Sequence, residues 1–224
     1  GGSDSPARRS RPVTMRVDCQ VHTVYSGDAT TTLDQLAGRI REVGLDAVCI
    51  TDHHTLDGAF EARQRDLGAL VIVGEEVRTP AGEIIGLFLT ERVPYVLPLL
   101  EAASRIRAQG GLVYAPHPCD RLRGGIGEGG LSLLAGADLL DIVEVCNAKV
   151  RHGEDNVLAA AIARRLGVPG GAGSDAHDPE GLGAAYIEVP DFAGPREFLD
   201  RLHQARVVGG FREHARRYVP RGER

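Results

Sequence analysis

The chain has no excess of basic charge: 26 Lys and Arg against 31 Asp and Glu leave a formal −5 over 224 residues. That argues against the basic footprint of duplex nucleic-acid binding, so any nucleic-acid substrate would have to be gripped at the site itself. No run approaches the roughly 20 apolar residues of a membrane span, and no apolar stretch near the start reads as a secretory signal. The four cysteines, Cys19, Cys49, Cys119 and Cys146, form no C-x-x-C pair and lie in apolar or strand-like segments. They read as buried free thiols of a cytoplasmic protein; only Cys119, two residues after His117, is placed to line a site. Internal repeats and signs of a second domain are also missing, and the length suits one core.

What is present is alternation. Residues 1–14, GGSDSPARRSRPVT, are polar and aperiodic, and the leading Gly-Gly-Ser reads as an expression scar, so the folded domain is expected over 15–212 with a basic tail at 213–224. Apolar or β-branched runs fall at 15–22, 46–52, 70–78, 83–90, 112–116, 142–147, 168–173 and 185–189. Helical patterns fall at 32–43, 56–67, 96–109, 153–166 and 195–206, with Gly44, Gly68, Gly110 and Gly167 where C-cap glycines belong. In the fourth pattern Val157, Leu158, Ala161, Ile162 and Leu166 are expected to form the buried face. Strands separated by helices of this length imply a single-domain α/β fold with a mostly parallel sheet. Runs 70–78 and 83–90, joined only by Thr79-Pro80-Ala81-Gly82, are expected to be an antiparallel hairpin.

A parallel α/β barrel collects its chemistry at the C-terminal ends of its strands, and here the reactive residues follow the apolar runs. Gln20 and His22 close the first, Asp52-His53-His54 follow the second, and Glu75-Glu76 lie late in the third. His117-Pro118 follow the fifth, Asn147 ends the sixth, and Ser174-Asp175-Ala176-His177 end the seventh. Imidazoles and carboxylates together are the ligands that Zn²⁺, Mn²⁺ and Fe²⁺ take, and a shared carboxylate such as Glu76 or Asp175 would bridge neighbouring ions. Such ions acidify a water and clamp substrate oxygens.

The run Asp18-Cys19-Gln20-Val21-His22-Thr23-Val24-Tyr25-Ser26-Gly27-Asp28 resembles the opening D-x-H-x-H-T…S…D motif of the PHP (polymerase and histidinol phosphatase) family. Thr51-Asp52-His53 resembles its T-D-H, Gly74-Glu75-Glu76 its G-x-E, Ala115-Pro116-His117-Pro118 its H-P, and Gly173-Ser174-Asp175-Ala176-His177 its G-S-D-x-H. The motifs occur in the family's order from residue 16 to about 190, and point to small bacterial members of metal-dependent phosphoesterase type. The resemblance implies a distorted (β/α)7 barrel with two or three divalent ions (Mn, Fe or Zn). It assigns a first ion to Gln20, His22, Glu76 and Asp175. A second would share Glu76 and take His117, with Glu83 standing where many relatives carry a His. A third would take Asp28, His53 and His177.

Gln20 departs from the pattern, since an amide oxygen is a weaker donor than imidazole. Three readings stay open: Gln20 is a tolerated ligand, the first ion is weak or missing, or the residue is an inactivating replacement. Asp28 also lies one residue further from His22 than in many relatives. Among residues suited to hold a phosphate, Arg121 leads for its bidentate fork, followed by Asn147, Lys149, Arg151 and His54; His54 suits a supporting role behind His53 equally well. Asp175 is the expected group for proton handling. Only 40 residues separate Glu76 from His117, too few for the cap insertion of some nucleotide-cleaving relatives, so an open pocket is expected. The leading expectation is hydrolysis of a phosphate mono- or diester on a small phosphorylated substrate. Amide or ester hydrolysis, or a degenerate nucleotide-binding module, are the alternatives.

Overall fold

The computed structural model describes residues 14–212; the expected N-terminal extension before Thr14 and the basic tail at 213–224 lie outside the described residues. Among the described residues the strands are β1 Thr14–Val21, β2 Ala47–Ile50, β3 Leu70–Thr79, β4 Gly82–Leu87, β5 Leu112–Ala115, β6 Ile142–Asn147, β7 Gly170–Gly173, β8 Ala185–Pro190 and β9 Arg206–Gly209. The helices are α1 Leu33–Val43, α2 Asp57–Gln64, α3 Leu99–Ala108, α4 Gly127–Gly136, α5 Gly153–Leu166 and α6 Pro195–Arg201.

The hydrogen-bonded order is β7-β6-β5-β4-β3-β2-β1-β8-β9. Strands β1 to β3 run parallel, as do β5 to β7; β4 is antiparallel to both neighbours because Pro80-Ala81 turns it straight back from β3. β8 pairs with the first half of β1 only, from Thr14↔Pro190 to Val17↔Ile187. The second half of β1 is left for the residues after β7. Ser174 N donates to Asp18 Oδ1 at 2.8 Å, Asp175 N to the Gln20 carbonyl at 2.8 Å, and His22 N to the Ala176 carbonyl at 3.1 Å. The result is a nearly closed seven-stranded barrel in one domain, the expected class of fold.

Closure depends on small residues in β7. A Cβ on Gly171 would lie 2.5 Å from the Tyr114 ring, and one on Gly173 would lie 2.7 Å from both Gln20 Cβ and Glu144 Oε1. Inside the barrel Cys19, Cys49, Ile72, Ile85, Tyr114, Ile142 and Ala172 pack together above Phe198 of α6. Outside, Leu36, Ile40, Val48, Ile50, Ile106 and Leu131 join the sheet to its helices. Helix α1 opens with a capping box, Thr32 to Gln35, and closes on Gly44 at φ 70°.

Three expectations need correction. The buried face of α5 is Ala159, Ile162 and Ala163, while Val157 and Leu158 are 70% and 51% exposed: small residues let the helix approach the sheet, and the larger ones on its flank are left outside. Helix α4 and strand β9 were not anticipated; the glycines of Gly-Glu-Gly-Gly-Leu-Ser-Leu-Leu-Ala-Gly mask helical propensity. Gly68 caps nothing, because α2 ends at Gln64. The four cysteines are free, and Cys119 packs against the outer core rather than the cleft.

Candidate metal centre

The strand-end residues converge on one mouth of the barrel. Glu76 sits at the middle: Oε2 is 3.1 Å from His22 Nε2, 3.1 Å from Gln20 Nε2 and 3.9 Å from His53 Nδ1, and Oε1 is 3.2 Å from His117 Nε2. Its neighbour Glu75 points to the opposite face by strand alternation, where Oε2 accepts from Val93 N at 2.8 Å. The β3–β4 register pairs Arg78 with Glu83 and Glu76 with Ile85, so Glu83 is the diagonal neighbour of Glu76. Glu83 Oε2 lies 3.9 Å from His117 Nε2 while Oε1 accepts from Arg78 at 3.1 Å.

On the other side, Asp28 Oδ2 is 3.1 Å from His177 Nε2 and 3.5 Å from His53 Nε2. His177 Nδ1 donates to the Asp175 carbonyl at 2.9 Å, which leaves Nε2 as the nitrogen with a lone pair to offer a cation. His22 Nδ1 meets Ser26 Oγ at 3.1 Å, so its Nε2 likewise faces inward. Ser26 Oγ also accepts from His53 N at 3.1 Å and ties the first two strand ends together.

Two groupings have ligand atoms close enough to share an ion: His22, Asp28, His53 and His177, and His53, Glu76 and Glu83 with His117 beside them. Their chemistry fits divalent cations. Asp28 Oδ1 is buried without a hydrogen-bond partner among the described residues, an arrangement that costs free energy until a cation fills it, and His22 Nε2 is wedged between carboxylate oxygens of Glu76 and Asp175 at 3.1 and 3.5 Å. His54, His117 and Asp175 adopt φ of 56°, 27° and 51°, left-handed values that residues with a side chain hold only where the surroundings enforce them.

The carboxylates behind the site are protonation-sensitive for one reason, burial. Asp18, holding the amides of Ser174 and Gly183, is raised to about 7, and Glu144 to about 8. Glu144 accepts from His117 N at 2.6 Å and Asn147 Nδ2 at 2.9 Å. A bulge in β6 between Glu144 and Cys146 brings Asn147 to the same interior side. Asp52 holds Thr23 through its N and Oγ1, at 2.6 and 2.7 Å.

Asp175, the residue expected to handle a proton, is paired with two basic side chains. Arg123 Nη2 lies 2.5 Å from its Oδ2 and Lys149 Nζ 3.9 Å from its Oδ1; these cations outweigh burial and hold the carboxyl well below the usual range. Arg121 stands apart from the cleft: it is exposed, with Nη1 near the start of α4, whereas Arg123 lines the cleft. The two arginines occupy one short 3₁₀ turn, where residues two apart point in different directions, and nothing in the sequence says which faces in. Glu144 lies outside the motif residues, and its only mark in the sequence is a charge within an apolar strand.

The cleft above these residues encloses about 710 Å³ and is lined by, among others, His54, Arg78, Tyr95, Leu122, Arg123 and Lys149. His54 packs edge-on against Tyr95, ring centres 4.4 Å apart, and burial lowers its pKa to about 4, so it is neutral. Asn147 is fully buried beneath the cleft, and Arg151 is at its rim. No cap covers the cleft among the described residues, and no helix there is long and apolar enough to cross a membrane.

A barrel with histidines and carboxylates clustered at its strand ends defines a class of metal-site proteins. The chain belongs to the PHP domain family: residues 18–110 match the PHP domain, and residues 153–207 match the PHP-associated family. An uncharacterized protein of Methanocaldococcus jannaschii, MJ0417, is 36% identical over 84% of this chain and 79% of its own length. Among solved structures, a two-domain protein from Bacteroides vulgatus, described as containing a predicted PHP-like metal-dependent phosphoesterase, superposes with a TM-score of 0.74 at 20% identity. That match covers 89% of this chain and 66% of the other. An amidohydrolase from Chromobacterium violaceum, described with bound sulfate and no metal, gives a TM-score of 0.63 at 17% identity over 86% of this chain and 97% of its own.

Proposed function

We propose that this protein is a metal-dependent hydrolase of phosphate esters acting on a small phosphorylated substrate. The observation that carries the reading is the meeting, in one open cleft, of two cation-binding groupings with the buried cations Arg123 and Lys149. When bound, divalent ions (Mn, Fe or Zn) would supply an acidified water and charge neutralisation for phosphoryl oxygens. The first grouping would be held by His22, Asp28, His53 and His177, and the second by Glu76, Glu83 and His117.

The chain's own residues would orient the substrate. Arg123 Nη1 is buried without a partner among the described residues and lines the cleft, so it is a ready donor to an anionic oxygen. Lys149 Nζ, 3.9 Å from Asp175, adds a second positive group, though burial lowers its pKa to about 8. Neutral His54 and Tyr95 form an apolar rim for the leaving group. The net charge of −5 favours a small substrate over duplex nucleic acid, and the four free thiols, three of them buried, suit a cytoplasmic setting.

Amide hydrolysis is the second reading, favoured by the description of the Chromobacterium relative as an amidohydrolase. The unpartnered Arg123 Nη1 in the cleft, a donor suited to an anionic oxygen, favours the phosphate ester. Initial rates on p-nitrophenyl phosphate, bis(p-nitrophenyl) phosphate and a p-nitroanilide panel, with Mn²⁺, Fe²⁺ or Zn²⁺ added, test this. Turnover of either phosphate ester, abolished by chelator, is expected; cleavage confined to the anilides would replace the reading with the second one.

A further inference from the structure

We infer that in this protein Arg123 and Lys149 take the place of the first of the three family ions, so that the centre binds two ions and rejects a third. The inference rests on the metal-site reading above but not on which ester is cleaved.

The first position would need ligands from Gln20, His22, Glu76 and Asp175. Gln20 is turned the wrong way, and its orientation follows from the backbone. Asn147 Oδ1 accepts from Lys149 N at 2.8 Å, so Asn147 presents its Nδ2 to Gln20 Oε1 at 3.2 Å, Glu144 Oε2 at 2.9 Å and Asp175 Oδ2 at 3.1 Å. Gln20 Oε1, the only atom of that side chain able to bind a cation, therefore faces the Asn147 amide, which shares its two hydrogens among these oxygens, and points away from Glu76. Gln20 Nε2, a donor, is what reaches Glu76 at 3.1 Å.

Charge leads to the same result. Arg123 and Lys149 are largely buried, with side chains 15% and 5% exposed, and both are directed at Asp175. Asp175, the carboxylate this position does not share with the second grouping, already faces two positive groups, so its charge is met without an ion. A divalent cation placed there would meet a guanidinium and an ammonium at short range in a poorly screened interior. Asp175 enters neither cation-binding grouping found among the described residues. His22, which the family pattern gives to the first ion, is instead grouped with Asp28, His53 and His177. A single histidine-to-glutamine difference would only weaken an ion; with two buried cations aimed at Asp175, the position is refilled.

The test is a count of ions. Purified protein is saturated with Mn²⁺ or Zn²⁺, dialysed, and analysed by plasma emission spectroscopy and native mass spectrometry, beside a Q20H/R123A/K149A variant checked by circular dichroism. Two equivalents per native chain and three in the folded variant are the expected result. Three in the native chain overturn the inference, as does a folded variant that still stops at two. Should the variant fail to fold, the native count alone decides. No ion in the native chain would sink the metal-site reading and this inference together. Two ions without turnover of any ester would overturn only the assigned reaction.

Discussion

Glu76 shows how much can rest on one side chain. It lies within hydrogen-bonding reach of Gln20, His22 and His117 and near His53, so Glu76→Ala is expected to lower bound metal to one ion or none and reduce turnover by more than about 100-fold, beyond the ~10–100-fold typical of supporting residues. Metal analysis beside steady-state rates checks it. Arg123→Ala should instead act mainly on substrate affinity: losing a charge-assisted hydrogen bond of about 1.5–3 kcal/mol raises KM by roughly ten- to a hundredfold. A change confined to kcat would argue that Arg123 does not hold the substrate. The sequence made Glu76 and Glu83 legible as neighbours because a short hairpin fixes their relation, whereas His117 joined them only through the family's motif order. It did not separate Arg121 from Arg123, since that choice belongs to the direction of one turn after Asp120.

At the level of elements, strand position was legible wherever apolar runs were bounded by glycine or proline, and β4 was anticipated as antiparallel from its two-residue turn. Helix α4 escaped because tertiary packing of Leu131 and Leu134, both fully buried, stabilises a segment whose glycines disfavour it. The face of α5 was misread for the complementary reason: alanines pack closest. Strand β7 makes the strictest demand on sequence. Gly171→Ala would push a methyl into the Tyr114 ring, and Gly173→Ala one against Gln20 and Glu144. Each is expected to destabilise the fold by about 1–3 kcal/mol, read as a lower Tm, and Gly173→Ala should weaken metal binding as well.

For the molecule as a whole, the buried acids set a pH dependence. Glu144 has its pKa raised from 4.5 to about 8 and Asp18 from 3.8 to about 7, so the folded protein holds protons that the unfolded chain releases. Their contribution to stability is therefore complete below about pH 4 and is lost as pH rises to about 8. Between about pH 4 and 6.5 the lowered pKa values of His22 and His54 act in the opposite sense, so thermal unfolding of chelator-treated protein should show Tm falling between about pH 6.5 and 8, with a shallower fall in Glu144→Gln. The barrel's closure has a kinetic consequence too. The amides of Ser174, Asp175 and His22 bridge the first and seventh strands, and His22 and His177, on either side of that join, enter one cation grouping. An ion there would act as a rivet across the last gap to close. Adding Mn²⁺ should slow hydrogen exchange at those amides far more than at β2 or β3, and equal slowing throughout would show that the ion stabilises the whole barrel instead.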